Sequence, residues 1–185
     1  IVGDVTLEQA ISSVAATFGA LPHRSQAHAA SDGDEHFPAP TREPVQLTHR
    51  GAANQAVAAI AWPTKGFFSD LQEPRTLRVL AEILSQRLLD ELRTREGITY
   101  TPGASTYSSL VTPAYGFVYA LAQIPPDKIA TFYNVVASVV EDLKNKPVGA
   151  DELERARGPR IEDILRQQQT NEYWLALLAG AQAGQ

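Results

Sequence analysis

The chain has 185 residues, 44% of them hydrophobic and 20% charged, which is the composition of a globular domain with enough apolar material for a core. A net charge of −5 excludes the dense Lys and Arg of a nucleic-acid surface, and no apolar run approaches the roughly 20 residues a membrane-spanning helix needs. There is no cysteine, so disulfides, thiolate metal sites and cysteine nucleophiles are excluded as well, a composition compatible with any compartment.

The chain opens in "IVGDV", which reads as a strand already under way, and the sequence is therefore expected to be an excised piece of something longer. Thr6 then stands three residues before Gln9, the spacing of a capping box. Leu7, Ala10, Ile11, Val14 and Phe18 share one helical stripe, with Gly19 and Pro22 expected to stop it. Residues 23–44 are rich in Ser, Ala, Asp, His and Pro and read as a surface connection inside a single domain covering residues 1–185. Two strands are expected next, "PVQLTH" and "NQAVAAIAWP", the second apolar on both faces and so placed centrally in a sheet.

Pro74 is expected to open the longest helix, in which Leu77, Leu80, Ala81, Leu84, Leu88 and Leu92 recur every three or four residues, with Gly97 at its end. "TYTPGASTYSSL" and "AYGFVYALAQI", separated by Thr112 and Pro113, read as a hairpin. Pro125 and Pro126 introduce an amphipathic helix that Pro147 ends, and the acidic "ADELE" begins another in which Pro159 suggests a kink or restart. "NEYWLALLAGAQAGQ" is helical in pattern. The expected order is β-α-β-β-α-β-β-α-α. That is an α+β fold, a mostly antiparallel sheet with helices packed on one face.

Self-contained chemistry is hard to find in this chain. His23, His28 and His36 lie at irregular spacing in the connection and His49 near a turn, none in a pair that shares a helix face for metal binding. No Gly-x-Ser-x-Gly elbow and no phosphate-cradling glycine loop occurs. Asp90, Glu91 and Glu96 cluster near a helix end, where acids generally face solvent. Tyr107, Tyr115, Phe117 and Tyr119 fall in the hairpin and are expected to pack a core. Metal and cofactor sites are therefore expected to be absent from this chain.

"LLDELRTREGITY" closely resembles the helix-to-strand segment of the noncatalytic half of the pitrilysin/insulinase (inverzincin) zinc metallopeptidases, where a leucine-rich helix ends in Leu-Arg-x-x-x-x-x-x-Tyr. "IVGDVTLEQA", "FGALPHR", "RTLRVLAEILSQRL" and "DELERAR" match further pieces in family order over nearly the whole chain. The resemblance implies a clamshell-domain fold and a C-terminal-type domain that completes the substrate chamber of a zinc endopeptidase. It implies that Arg93 and Tyr100 bind the peptide and stabilise the oxyanion as auxiliary catalytic residues, while Arg95 does not hold the matching position. Zinc would reside in the zinc-bearing half, on the same protein or a partner subunit, because this chain has no His-x-x-Glu-His and should be inactive alone. Two rivals are a structural core-type subunit that cleaves nothing and an unrelated α+β ligand-binding domain. The first is disfavoured by the presence of both Arg93 and Tyr100.

Overall fold

A computed structural model describes residues 1–23, 36–41, 43–95 and 102–179, giving only the backbone at 94, 95 and 179. In chain order these form α1 (Leu7–Ala16), β1 (Ala56–Thr64), α2 (Gln72–Leu89), β2 (Gly103–Ser108), β3 (Gly116–Ile124), α3 (Ile129–Asn145), α4 (Ala150–Gln167) and α5 (Asn171–Ala179). A π-helical segment, Asp90–Arg95, prolongs α2, and short 3-10 turns lie at Phe18–Ala20 and Pro126–Lys128. The chain divides into two units, Ile1–Asp34 with Arg160–Gln185, and Glu35–Pro159.

The larger unit holds an antiparallel sheet in the order β1–β3–β2. Its register pairs Ile60 with Ala120 and Ala104 with the same Ala120, so all three strands present matching faces. On one face Ala58, Ala104, Ala120, Ala122 and Ile124 meet Leu84 and Leu88 of α2 and Phe132, Val136 and Val139 of α3. Alanine at the centre of this face lets the helices lie close to the sheet, and the leucine stripe of α2 and the apolar side of α3 fill the space. The α+β class, with helices on one face of an antiparallel sheet, is thus observed.

Both sheet edges are blunted by a helix hydroxyl. The Ala104 N–H of β2 donates to Ser85 Oγ at 2.6 Å, and Ser85 Oγ–H donates to the Ala104 carbonyl at 3.0 Å. On the other edge Tyr133 Oη of α3 donates to the Ala59 carbonyl at 3.2 Å. That places β1 at an edge rather than in the centre as its composition suggested. Pro63 is the residue that marks it: proline has no N–H to give to a neighbour, so it sits comfortably only where a ladder ends.

Two of the five expected strands do not form. At "IVGDV" the backbone turns at Gly3, whose φ of +143° suits glycine, and the Val5 N–H donates back to the Gly3 carbonyl. In "PVQLTH" Val45 and Leu47 alternate as a strand should, yet both are exposed and no ladder partner lies beside them among the described residues. A strand is an agreement between two chains, and alternation alone does not supply the second.

The helix signals hold better. Thr6 and Gln9 form the reciprocal capping box, Gln9 N–H to Thr6 Oγ1 at 3.2 Å and Thr6 N–H to Gln9 Oε1 at 3.0 Å. α2 starts two residues before Pro74, with Asp70 Oδ1 accepting the Gln72 N–H at 2.9 Å, because proline in the first turn loses no helical bond. α4 runs through Pro159 unbroken, and the restart comes at α5, behind Thr170. The expected helix end at Gly97 and most of the 23–44 connection lie outside the described residues.

The β2–β3 hairpin is locked onto the exit of β1. Ser109 Oγ accepts the Val111 and Thr112 N–H groups, while Phe67 N–H donates to the Ser109 carbonyl and Gly66 N–H to that of Pro113. A Cβ on Gly116 would stand 2.3 Å from the Lys65 carbonyl oxygen, and one on Gly66 would be 2.4 Å from that of Thr112. Both glycines are needed for this close backbone crossing.

Candidate functional site

Arg93 rides on the π-helical continuation of α2, and everything beneath it is anchored. Leu88 and Leu92 are fully buried, so the helix end cannot swing away from the core. Ser85 binds the edge of β2, and Arg87 ties α2 to α3 and α4 through three charge-assisted bonds. Arg87 Nε and Nη2 reach Glu152 Oε1 and Oε2 at 2.7 and 2.9 Å, and Nη1 reaches Asp142 Oδ2 at 2.7 Å. The fork on Glu152 matches the planar guanidinium to a carboxylate, and both side chains are only 20% exposed. The hydrogen bond from Arg87 holds the Glu152 carboxyl below its usual pKa, and Lys146 and then Arg87 do the same for Asp142.

Arg93 itself is exposed, one residue after buried Leu92. A π-helical turn widens the helix by one residue per turn and is a frequent feature of functional helix ends. Nothing in the leucine spacing signals that widening, since Leu92 continues the stripe. Tyr100, the second expected site residue, lies outside the described residues, as does the side chain of Arg95.

The other face of the sheet carries a feature that composition did not reveal. Tyr107, Phe117 and Tyr119 point away from the helices rather than into the core expected of them. The rings of Tyr107, Tyr115 and Tyr119 stand 5.4, 6.0 and 5.8 Å from Phe117, and Phe37 stands 5.6 Å from it on a further side. The pleat explains the misassignment. "GFVYALAQI" is apolar on both parities, so period-2 alternation did not say which parity the helices would cover. The small even-numbered residues were the available signal, because close helix packing needs them.

His49 serves the turn before β1: its Nδ1 accepts the Gly51 N–H at 2.8 Å, so Nε2–H donates to the Gln55 carbonyl at 3.0 Å. Among the described residues no group of three or more His, Asp or Glu is placed to hold a metal ion.

Residues 1–158 match the model of the peptidase M16 inactive domain. The chain belongs to this family. The M16 inactive domain is a noncatalytic domain type, related to the insulinase-type peptidases. A predicted insulinase family protease from Yersinia pestis shares this fold with a TM-score of 0.67 and 16% identity, over 98% of this chain and 40% of its own. A conserved protein from Enterococcus faecalis V583 matches with a TM-score of 0.60 and 14% identity, over 74% of this chain and 33% of its own. The M16 domain described here thus spans two fifths or less of the length of these two structures. No curated protein matches the chain significantly. No helix among the described residues is long and apolar enough to cross a membrane.

Proposed function

We propose that this M16 inactive domain completes the peptide chamber of a zinc-dependent endopeptidase and lends Arg93 and Tyr100 to the reacting peptide. The observation that carries the reading is the exposed Arg93 on a π-helical end pinned by buried Leu92. An anchored helix end beneath the guanidinium limits the reorganisation that oxyanion stabilisation must otherwise cover as charge develops. The Tyr100 phenol, seven residues on, would donate a second bond to the same peptide carbonyl.

This chain's own residues do not fit the family's zinc. The sequence has no His-x-x-Glu-His, and Asp142 and Glu152 are taken up by Arg87 and Lys146. The metal belongs to a zinc-bearing half, on the same polypeptide or a partner subunit, and the substrate is a peptide.

In the intact enzyme, Tyr100→Phe is expected to lower turnover about 100-fold, the typical cost of one transition-state donor, with unchanged melting. Arg93→Lys keeps charge but loses the planar fork and should also impair cleavage, while Arg95→Lys should do little. The isolated chain should carry no stoichiometric zinc by metal analysis. Normal cleavage by a folded Tyr100→Phe variant would overturn the assignment and leave a domain with a purely structural role.

A further inference from the structure

The aromatic face of the sheet is outside the Arg93 and Tyr100 assignment and has its own chemistry. Phe117 is the hub of a ring cluster, with Tyr107, Tyr115 and Tyr119 at centroid distances between 5.4 and 6.0 Å. All three lie within the range at which aromatic side chains attract one another edge-on or tilted. The rings are nevertheless reachable: Tyr107 is 48% exposed and Phe117 and Tyr119 are half-buried. The outward positions of the three strands carry no charged residue, so the strands themselves offer a charged side chain no counterion.

Among the described residues, one ring from outside the hairpin settles on this face. Phe37 stands 5.6 Å from Phe117 at an interplanar angle of 44°. It is half-buried, whereas its neighbours His36, Pro38, Ala39 and Pro40 are exposed and belong to no helix or strand. A ring inserted from an irregular segment is a side chain that another ring can replace.

We infer that the face around Phe117 is a subsite for an aromatic side chain of a peptide, and that Phe37 occupies it from within the chain as a competitor. The peptide character of the occupant rests on the chamber role proposed above; the aromatic preference and the competition rest on the ring geometry alone. The subsite gives the inactive domain a share in substrate selection, and the Phe37 segment sets the threshold a peptide must exceed.

The test is an anisotropy titration of the whole 185-residue chain with fluorescein-labelled Ala-Ala-Phe-Ala-Ala amide and its all-alanine counterpart. The phenylalanine peptide is expected to bind roughly two- to tenfold more tightly, the range of one aromatic contact. Phe37→Ala should tighten the phenylalanine peptide by a similar factor and leave the all-alanine peptide unchanged. Phe117→Ala should abolish the preference, and Phe117→Leu, which keeps apolar bulk, should weaken it in a chain of normal melting. Equal binding of the two peptides, or no binding of either, overturns the subsite. A Phe37→Ala chain that melts earlier but binds as before overturns the competition and makes Phe37 a packing residue. The titration reads neither cleavage nor Arg93 and Tyr100. Failure here with Tyr100→Phe still impaired removes the subsite alone, and the reverse pattern removes the Arg–Tyr assignment alone.

Discussion

The two units of this chain use apolar residues in opposite ways. In Glu35–Pro159 Leu84 and Leu88 of α2, Phe132 and Ile124 lie at or near zero exposure, and the helices exist because they cover a sheet. In Ile1–Asp34 with Arg160–Gln185 no described residue is buried: the α1 stripe leaves Leu7 70% and Ile11 60% exposed, and Trp174 and Leu175 of α5 are exposed as well. The apolar stripe of α1 is as regular as those of α2 and α3. The difference teaches that a periodic apolar stripe reports helical potential, and that burial is a separate fact requiring a partner surface.

The largest test of this contrast is a core truncation. Phe132→Ala should cost about 3–5 kcal/mol in denaturant unfolding, because it removes a fully buried ring and leaves a cavity between α3 and the sheet. A cost below that of an exposed substitution would mean that the larger unit is not held by its core.

Gly116→Ala comes next, at about 1–3 kcal/mol, since the added Cβ would press on the Lys65 backbone, which has no flexible end to move aside. The measurement is again an unfolding midpoint. An unchanged midpoint would show that the hairpin and the β1 exit separate without consequence for the sheet.

Glu152→Gln sharpens the comparison from the electrostatic side. It keeps the size of the side chain but leaves the Arg87 fork without its carboxylate. Partial exposure puts the cost between surface and buried pairs, about 1–2 kcal/mol. Because the folded Glu152 pKa lies below its ordinary 4.5, the pair stabilises above that value and is lost as pH falls through the folded one. Glu152→Gln should therefore flatten the acid limb of a stability profile below about pH 4.5. An acid limb identical to that of the parent chain would assign acid sensitivity to other carboxylates.

The smallest effect is expected at Ile11→Ala in α1, under about 0.5 kcal/mol, since the side chain is already in water. A loss near that of Phe132→Ala would show that the α1 stripe is covered in solution.

Reading this protein from its residues succeeded where the physics is local. The capping box at Thr6 and Gln9, the 3-10 entry at Pro126 into α3, the stop before Pro147 and the Thr112–Pro113 hairpin turn are each set by side chains a few residues apart. The family also lay in the sequence, in the ordered segments around "LLDELRTREGITY". Arg93 could be named from that motif, but its exposure beside buried Leu92 could not. Pairing, parity and coverage belonged to the tertiary structure. "PVQLTH" alternates yet finds no ladder, β1 is apolar on both faces yet lies at an edge, and the hairpin aromatics turn outward because alanines occupy the helix side. Each of those outcomes depends on which distant surface arrives, and a period of two or 3.6 is the same whether it arrives or not.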